Sequence, residues 1–168
     1  MLHIPILRHG RPYQSVESVT LVNHGTGHPV AEISQANAGL VGRDIRRMNA
    51  DALAAVPADE LVAICRKAAD LFMTADLPLG ERTQSFDDYV AQLSATTGMP
   101  HSYCRRNAEK LRTVLADMDR VLAGLTRGLD LSVLDRGHGR DGGRMVSFQR
   151  VARVFGAVLP SNSPGEIG

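Results

Sequence analysis

Val154-Phe155-Gly156-Ala157-Val158-Leu159-Pro160-Ser161-Asn162-Ser163-Pro164-Gly165 is the stretch that decides how this chain is read. Its first half is a short, continuous apolar run rich in valine, the pattern of a strand buried on both faces of a parallel sheet. Its second half is a proline-punctuated loop that carries one side-chain amide, Asn162. In an open α/β sheet, ligands bind at the carboxyl ends of the strands, and this order of elements places Asn162 there. Its NH2 group can donate to a developing oxyanion, a role suited to preorganised amides. Pro-Ser-Asn-Ser-Pro-Gly is equally ordinary turn chemistry, so the residue types alone leave both readings open.

A buried strand needs neighbours, and the rest of the chain offers few. Residues 1–30 alternate short apolar pairs with His, Gly and Pro and read as an extended arm, in which only Val16 to Val22 has strand character. Residues 31–128 predict a helical array. From Ala31 to Ala55 the helical pattern is weak, because Gly39 and Gly42 each cost about 1 kcal/mol relative to alanine. A firmer helix begins at Pro57, with Asp59 and Glu60 at the positive end of its dipole. Leu61, Ile64, Cys65, Ala68, Leu71 and Phe72 form its apolar face, and it stops before Pro78-Leu79-Gly80. Ser85 and Asp88 outline a capping box that opens a third helix, closed by Gly98 and Pro100. The strongest periodicity runs from Cys104 through Ala108, Leu111, Leu115, Met118 and Leu122 to Leu125, in alternating steps of four and three. Val114 and Val121 widen this seam to the apolar face of a core helix rather than a coiled coil. After Gly128 the chain turns glycine-rich, Met145 to Gln149 alternates loosely, and the apolar run follows.

Several local patterns suggest chemistry and each has a plainer reading. Gly137-His138-Gly139-Arg140-Asp141-Gly142 matches GxGxxG, but a strand pattern follows it where a dinucleotide fingerprint needs a helix N-terminus. A hairpin or crossover loop is the better expectation. His24 and His28 are four apart, yet Gly25, Gly27 and Pro29 oppose a helix and no third ligand is near, so a turn is expected and no metal. Cys65 and Cys104 fall on apolar faces, where a thiol packs as a small hydrophobe. Arg43/Arg46/Arg47 and Arg105/Arg106/Lys110/Arg112 are interleaved with acids such as Asp44 and Glu109, which favours local ion pairs on helix surfaces.

The composition bounds these readings. At 168 residues, with 43% hydrophobic and 22% charged side chains, the chain has room for one core of ordinary size. A formal charge of +1 gives no electrostatic footprint for nucleic acid or an anionic membrane, and neither is an expected partner. Two cysteines outside any CxxC pair point to a reducing, cytoplasmic compartment. No apolar run is of bilayer-spanning length, and the N-terminus lacks the pattern of a secretion signal. Aromatic residues make up only 4%, with no Trp, which is thin for a complete core of this size.

The apolar run and its loop resemble the aldehyde dehydrogenase superfamily, whose first cofactor-binding strand reads approximately V-V-G-A-I-x-P-W-N-x-P. The resemblance implies that Asn162 is the oxyanion-hole asparagine and that Leu159, Pro160 and Ser161 lie against NAD or NADP. Ser161 replaces the family's usual Trp, and Arg150-Val151-Ala152-Arg153 replaces its Glu-Pro-x-Gly. These departures look closest to a divergent, acyl-CoA reductase-like branch. The implied fold is α/β, the N-terminal portion of an aldehyde dehydrogenase-like fold, predominantly helical here. It comprises the arm (1–30), the helical array (31–128), and a glycine-rich loop with the first strand or strands of a cofactor-binding sheet (129–168), which stops short. The family's catalytic cysteine, general-base glutamate and nucleotide-binding lysine follow this strand, and none is assigned in this chain. The expected function is thus a part of an NAD(P)-dependent oxidoreductase of aldehydes or acyl thioesters, inactive alone and homo-oligomeric when whole. A reading from another class is a helical protein–protein interaction module using the 104–125 seam.

Overall fold

Asn37 marks the change from sheet to helix: its backbone is extended, and its side chain accepts the Leu40 N–H at 2.9 Å, closing the first turn of a helix. The computed structural model describes residues 1–49, 51–149 and 156–157. On the N-terminal side of Asn37 lie β1 (Leu2–Ile4), β2 (Ile6–Arg8), β3 (Arg11–Tyr13), β4 (Ser18–Val22) and β5 (Pro29–Ser34). Beyond it come α1 (Ala38–Arg47), α2 (Asp51–Ala54) and α3 (Ala58–Thr74), then β6 (Leu77–Leu79) and β7 (Arg82–Gln84). Next are α4 (Phe86–Thr97), α5 (His101–Ala116), α6 (Met118–Leu125) and α7 (Ser132–Arg136), and last β8 (His138–Asp141) and β9 (Arg144–Ser147). The protein is mixed α and β, with small sheets around a helical layer.

β5 is the centre of a three-stranded sheet, parallel to β1 on one side and antiparallel to β4 on the other. Leu2 pairs with Ala31, His3 with Glu32, Thr20 with Glu32, and Leu21 with Ala31. Since side chains alternate along a strand, this register puts Leu2, Ile4, Val19, Leu21, Ala31 and Ile33 on one face. His3, Ser18, Thr20, Glu32 and Ser34 occupy the other. The apolar face turns toward α4, and the His24 N–H donates to the Ala95 carbonyl at 2.7 Å to tie β4 to that helix. The first thirty residues therefore hold four strands and the start of a fifth, where the sequence suggests one. Segments of three residues are too short to display alternation, which is why they read as irregular. The helix expected from Ala31 begins later for a related reason: Ala31 and Ile33 alternate with Glu32 and belong to β5.

α3 is the hub of the helical layer and contacts α4, α5, α6 and α7. Its buried residues are Ala58, Val62 and Ala69, with Cys65 half-buried beside them. Ile64, Ala68 and Leu71, expected in the core, are exposed. α3 packs against α5, whose own buried residues are Cys104 and Ala108, so both helices bury small side chains. The capping box is complete: Ser85 Oγ accepts from Asp88 N at 3.2 Å and Asp88 Oδ2 accepts from Ser85 N at 3.1 Å. Gly98, at φ +76°, ends α4 in a left-handed cap. The long seam divides into α5 and α6 at Asp117, whose backbone leaves the helical region. Thr113 Oγ bonds back to the Glu109 carbonyl at 2.9 Å just before the break, a local competition that bends helices.

Candidate functional site

The residues carrying the oxyanion and cofactor expectations, Asn162, Leu159, Pro160 and Ser161, lie outside the described residues, as do 150–155. Gly156 and Ala157 alone of the expected strand are described, and they are exposed and in no strand. Among the described residues no atom beyond its chain neighbours lies within 4 Å of where a Gly156 side chain would begin. A strand buried on both faces is therefore not what these two residues show.

The GxGxxG segment folds as the β8–β9 hairpin, with Asp141 paired to Arg144 across Gly142 and Gly143. Both turn glycines have positive φ, +53° and +86°, which only glycine adopts without strain. Gly139 serves packing instead, since a Cβ there would lie 3.0 Å from Val133 Cγ2. β9 follows where a phosphate cradle requires a helix, so these residues do not fit a nucleotide pyrophosphate.

His24-Gly25-Thr26-Gly27-His28 is a turn organised by Asn23, whose Oδ1 accepts from Gly25 N at 2.9 Å and Thr26 N at 3.1 Å. The His24 ring lies on the α4 cap, where a Cβ on Gly98 would come within 2.5 Å of it. Among the described residues no three His, Cys, Asp or Glu side chains gather as a metal site. Cys104 is 0% exposed, and burial pushes its thiol pKa up, away from the thiolate a nucleophile needs. Cys65 is half-buried.

The polar sheet face brings together three residues that the sequence reading did not single out. His3 Nε2 lies 2.9 Å from Ser34 Oγ, and His3 Nδ1 lies 3.7 Å from Glu32 Oε2. The order hydroxyl, imidazole, carboxylate is that of an activated nucleophile. Ser34, however, is only 4% exposed, and its Oγ also accepts the Ser15 N–H at 3.0 Å. Closed off in this way, the group fastens β1 and the Ser15 loop to β5. A hydrogen bond from Ser18 and the nearby His3 hold Glu32 below the usual carboxylate range. The Glu32-x-Ser34 alternation was the signal available in the sequence, but its partner His3 is 31 residues from Ser34.

The arginine clusters divide. Arg105 bridges to Asp87 at 2.6 Å and lies over the Phe86 ring at 5.5 Å, beside the Phe72–Phe86–Tyr89 aromatic cluster. Asp44 is held by Arg8, and Arg43, Arg46 and Arg47 of the same helix are exposed. That helix buries no residue: Val41, Ile45 and Met48 form a stripe, each about half exposed. No helix among the described residues is long and apolar enough to cross a membrane.

One concavity joins several elements. Between the apolar sheet face and α4 lies a cleft of about 220 Å³, with Leu2, Val30, Leu79 and Leu93 in its lining. Leu2, Val30, Leu79 and Gln92 also line the adjoining space, where Arg82 and Thr83 appear. Arg82 and Leu2 continue into a wider mouth flanked by His3, Gly80 and Glu81. No protein-family model matches this chain, and no curated protein matches it either.

Proposed function

We propose that this chain is the N-terminal part of an NAD(P)-dependent oxidoreductase of aldehydes or acyl thioesters, related to the aldehyde dehydrogenases. The observation that carries this reading is the order Val154-Phe155-Gly156-Ala157-Val158-Leu159-Pro160-Ser161-Asn162, an apolar run leading into a Pro-x-Asn loop. The helical layer and small sheets that precede it are compatible with such a placement. Further support comes from α1, whose Val41, Ile45 and Met48 stripe is left uncovered by the described residues. An amphipathic helix with no buried residue suits a piece that completes its core against more protein.

In this reading the chain contributes an electrostatic group. The Asn162 side-chain NH2 donates to the carbonyl oxygen of the substrate as negative charge develops there, and the covalent attack comes from a cysteine outside this sequence. NAD or NADP supplies the redox chemistry when bound. Aldehydes and acyl-CoA thioesters share the carbonyl that such a donor recognises.

The test is Asn162→Ala in the product of the whole reading frame, assayed by NAD(P)H formation or consumption. Loss of one oxyanion donor is expected to lower kcat by about 10²–10³ with cofactor binding unchanged. Unchanged turnover would remove Asn162 from the reaction.

A further inference from the structure

We propose that the cleft between the three-stranded sheet, the β6–β7 hairpin and α4 binds a linear aliphatic carboxylate, its alkyl chain against Leu2, Val30, Leu79 and Leu93 and its head at Arg82. The apolar end of the cleft, about 220 Å³, is an open groove lined by Leu2, Val30, Leu79 and Leu93. Its two amides are joined, Gln84 Nε2 donating to Gln92 Oε1 at 2.7 Å. Six of the eleven lining residues there, Leu2, Ile4, Leu21, Val30, Leu79 and Leu93, are aliphatic and offer a chain apolar surface.

Charge selects the head group. Arg82 lines the middle and the mouth of the cleft and forms no ion pair among the described residues. Among the described residues the middle section contains no acidic side chain, and Glu81, the one acid they place in the lining, lies in the wider mouth. An apolar chain ending in a single negative charge therefore fits along the cleft in one direction, its tail toward Leu93. The mouth is also fixed in shape. Gly80 sits at φ +62° with its backbone so close to β1 that a Cβ would stand 2.1 Å from the His3 carbonyl oxygen. A hairpin seated in that way presents Arg82 without a rearrangement on binding.

Titration of the 168-residue chain with hexanoate, octanoate and 1-octanol, followed by calorimetry and amide chemical shifts, tests the assignment. Octanoate is expected to bind about tenfold or more tightly than hexanoate, since each added methylene tightens binding roughly fourfold while the cleft has room. Arg82→Gln, at an exposed position, is expected to weaken octanoate about two- to fivefold and leave 1-octanol unchanged. Shift changes should centre on Leu2, Leu79 and Leu93. Affinity independent of chain length, an equal effect of Arg82→Gln on 1-octanol, shifts centred elsewhere, or no octanoate binding would each overturn the proposal.

Discussion

Asp135 Oδ1 accepts the Ala58 N–H at 2.9 Å, so a residue of α7 caps α3 from 77 positions away. Pro57, which precedes α3, offers no side-chain cap of its own. The first turn of the central helix therefore depends on the short helix that follows the arginine- and glycine-rich Arg127-Gly128 turn.

Asp135→Ala is expected to cost about 1 kcal/mol, the usual value of an N-terminal cap. That corresponds to a Tm lower by about 2–4 °C for a chain of this size. Asp135→Asn, which keeps an acceptor oxygen, should recover most of the loss. An unchanged Tm for Asp135→Ala in thermal melts would show that the cap contributes nothing.

The contact between α3 and α5 makes a sharper demand. Ala108 is 0% exposed on α5, the helix that packs against α3, so Ala108→Leu should overpack the core and cost about 1–3 kcal/mol. Ile64→Ala, on the exposed side of α3, should stay within about 0.5 kcal/mol. Urea unfolding of the two variants checks the orientation of α3; a reversed ranking would mean the helix is rotated.

Gly80→Ala combines two penalties. Its positive φ costs a non-glycine residue about 1–3 kcal/mol, and the added Cβ meets the His3 carbonyl. The expected result is a Tm loss larger than that of Asp135→Ala. Gly143→Ala, at positive φ with open space around it, should lose less, and both can be read in one set of melts.

Acid should destabilise the fold by a definite route. Hydrogen bonds from Arg8, Ser18, Ser85 and Ser132 hold Asp44, Glu32, Asp88 and Asp130 respectively below their ordinary values. The unfolded chain binds protons on these groups before the folded chain does, so their stabilisation is complete above the ordinary carboxylate range. It declines as pH falls below about 4 and is lost once the folded carboxylates protonate. Urea midpoints from about pH 6 to about pH 3 should show this fall, and Asp44→Asn should make it shallower. An identical pH profile in the variant would contradict the role given to Asp44.

The helical half of the fold was legible where local chemistry decides. The Ser85–Asp88 capping box, the Gly98 stop and the glycine turn at 142–143 are each fixed by residues within a few positions of one another. What escaped the sequence depends on distant partners. The sheet joins three-residue β1 to β5 some 30 positions later, and the buried face of α3 was set by how closely α5 approaches. A periodic pattern identified that α3 has an apolar face but favoured its bulkier residues, Ile64 and Leu71, over the smaller ones that allow contact. The candidate site was legible in another sense: Asn162 was read from residue order and resemblance, and lies outside the described residues. The His3–Glu32–Ser34 group shows the converse, a constellation assembled by strand pairing that no local pattern announces.

We propose that this chain is one part of an oxidoreductase and supplies its oxyanion donor. The most direct measurement is NAD(P)H turnover with aldehydes and acyl-CoA thioesters, compared between the 168-residue chain and the product of the whole reading frame. Turnover is expected only in the longer product, with kcat reduced about 10²–10³ by Asn162→Ala. Turnover by the 168-residue chain alone, or a longer product without any, would contradict the account.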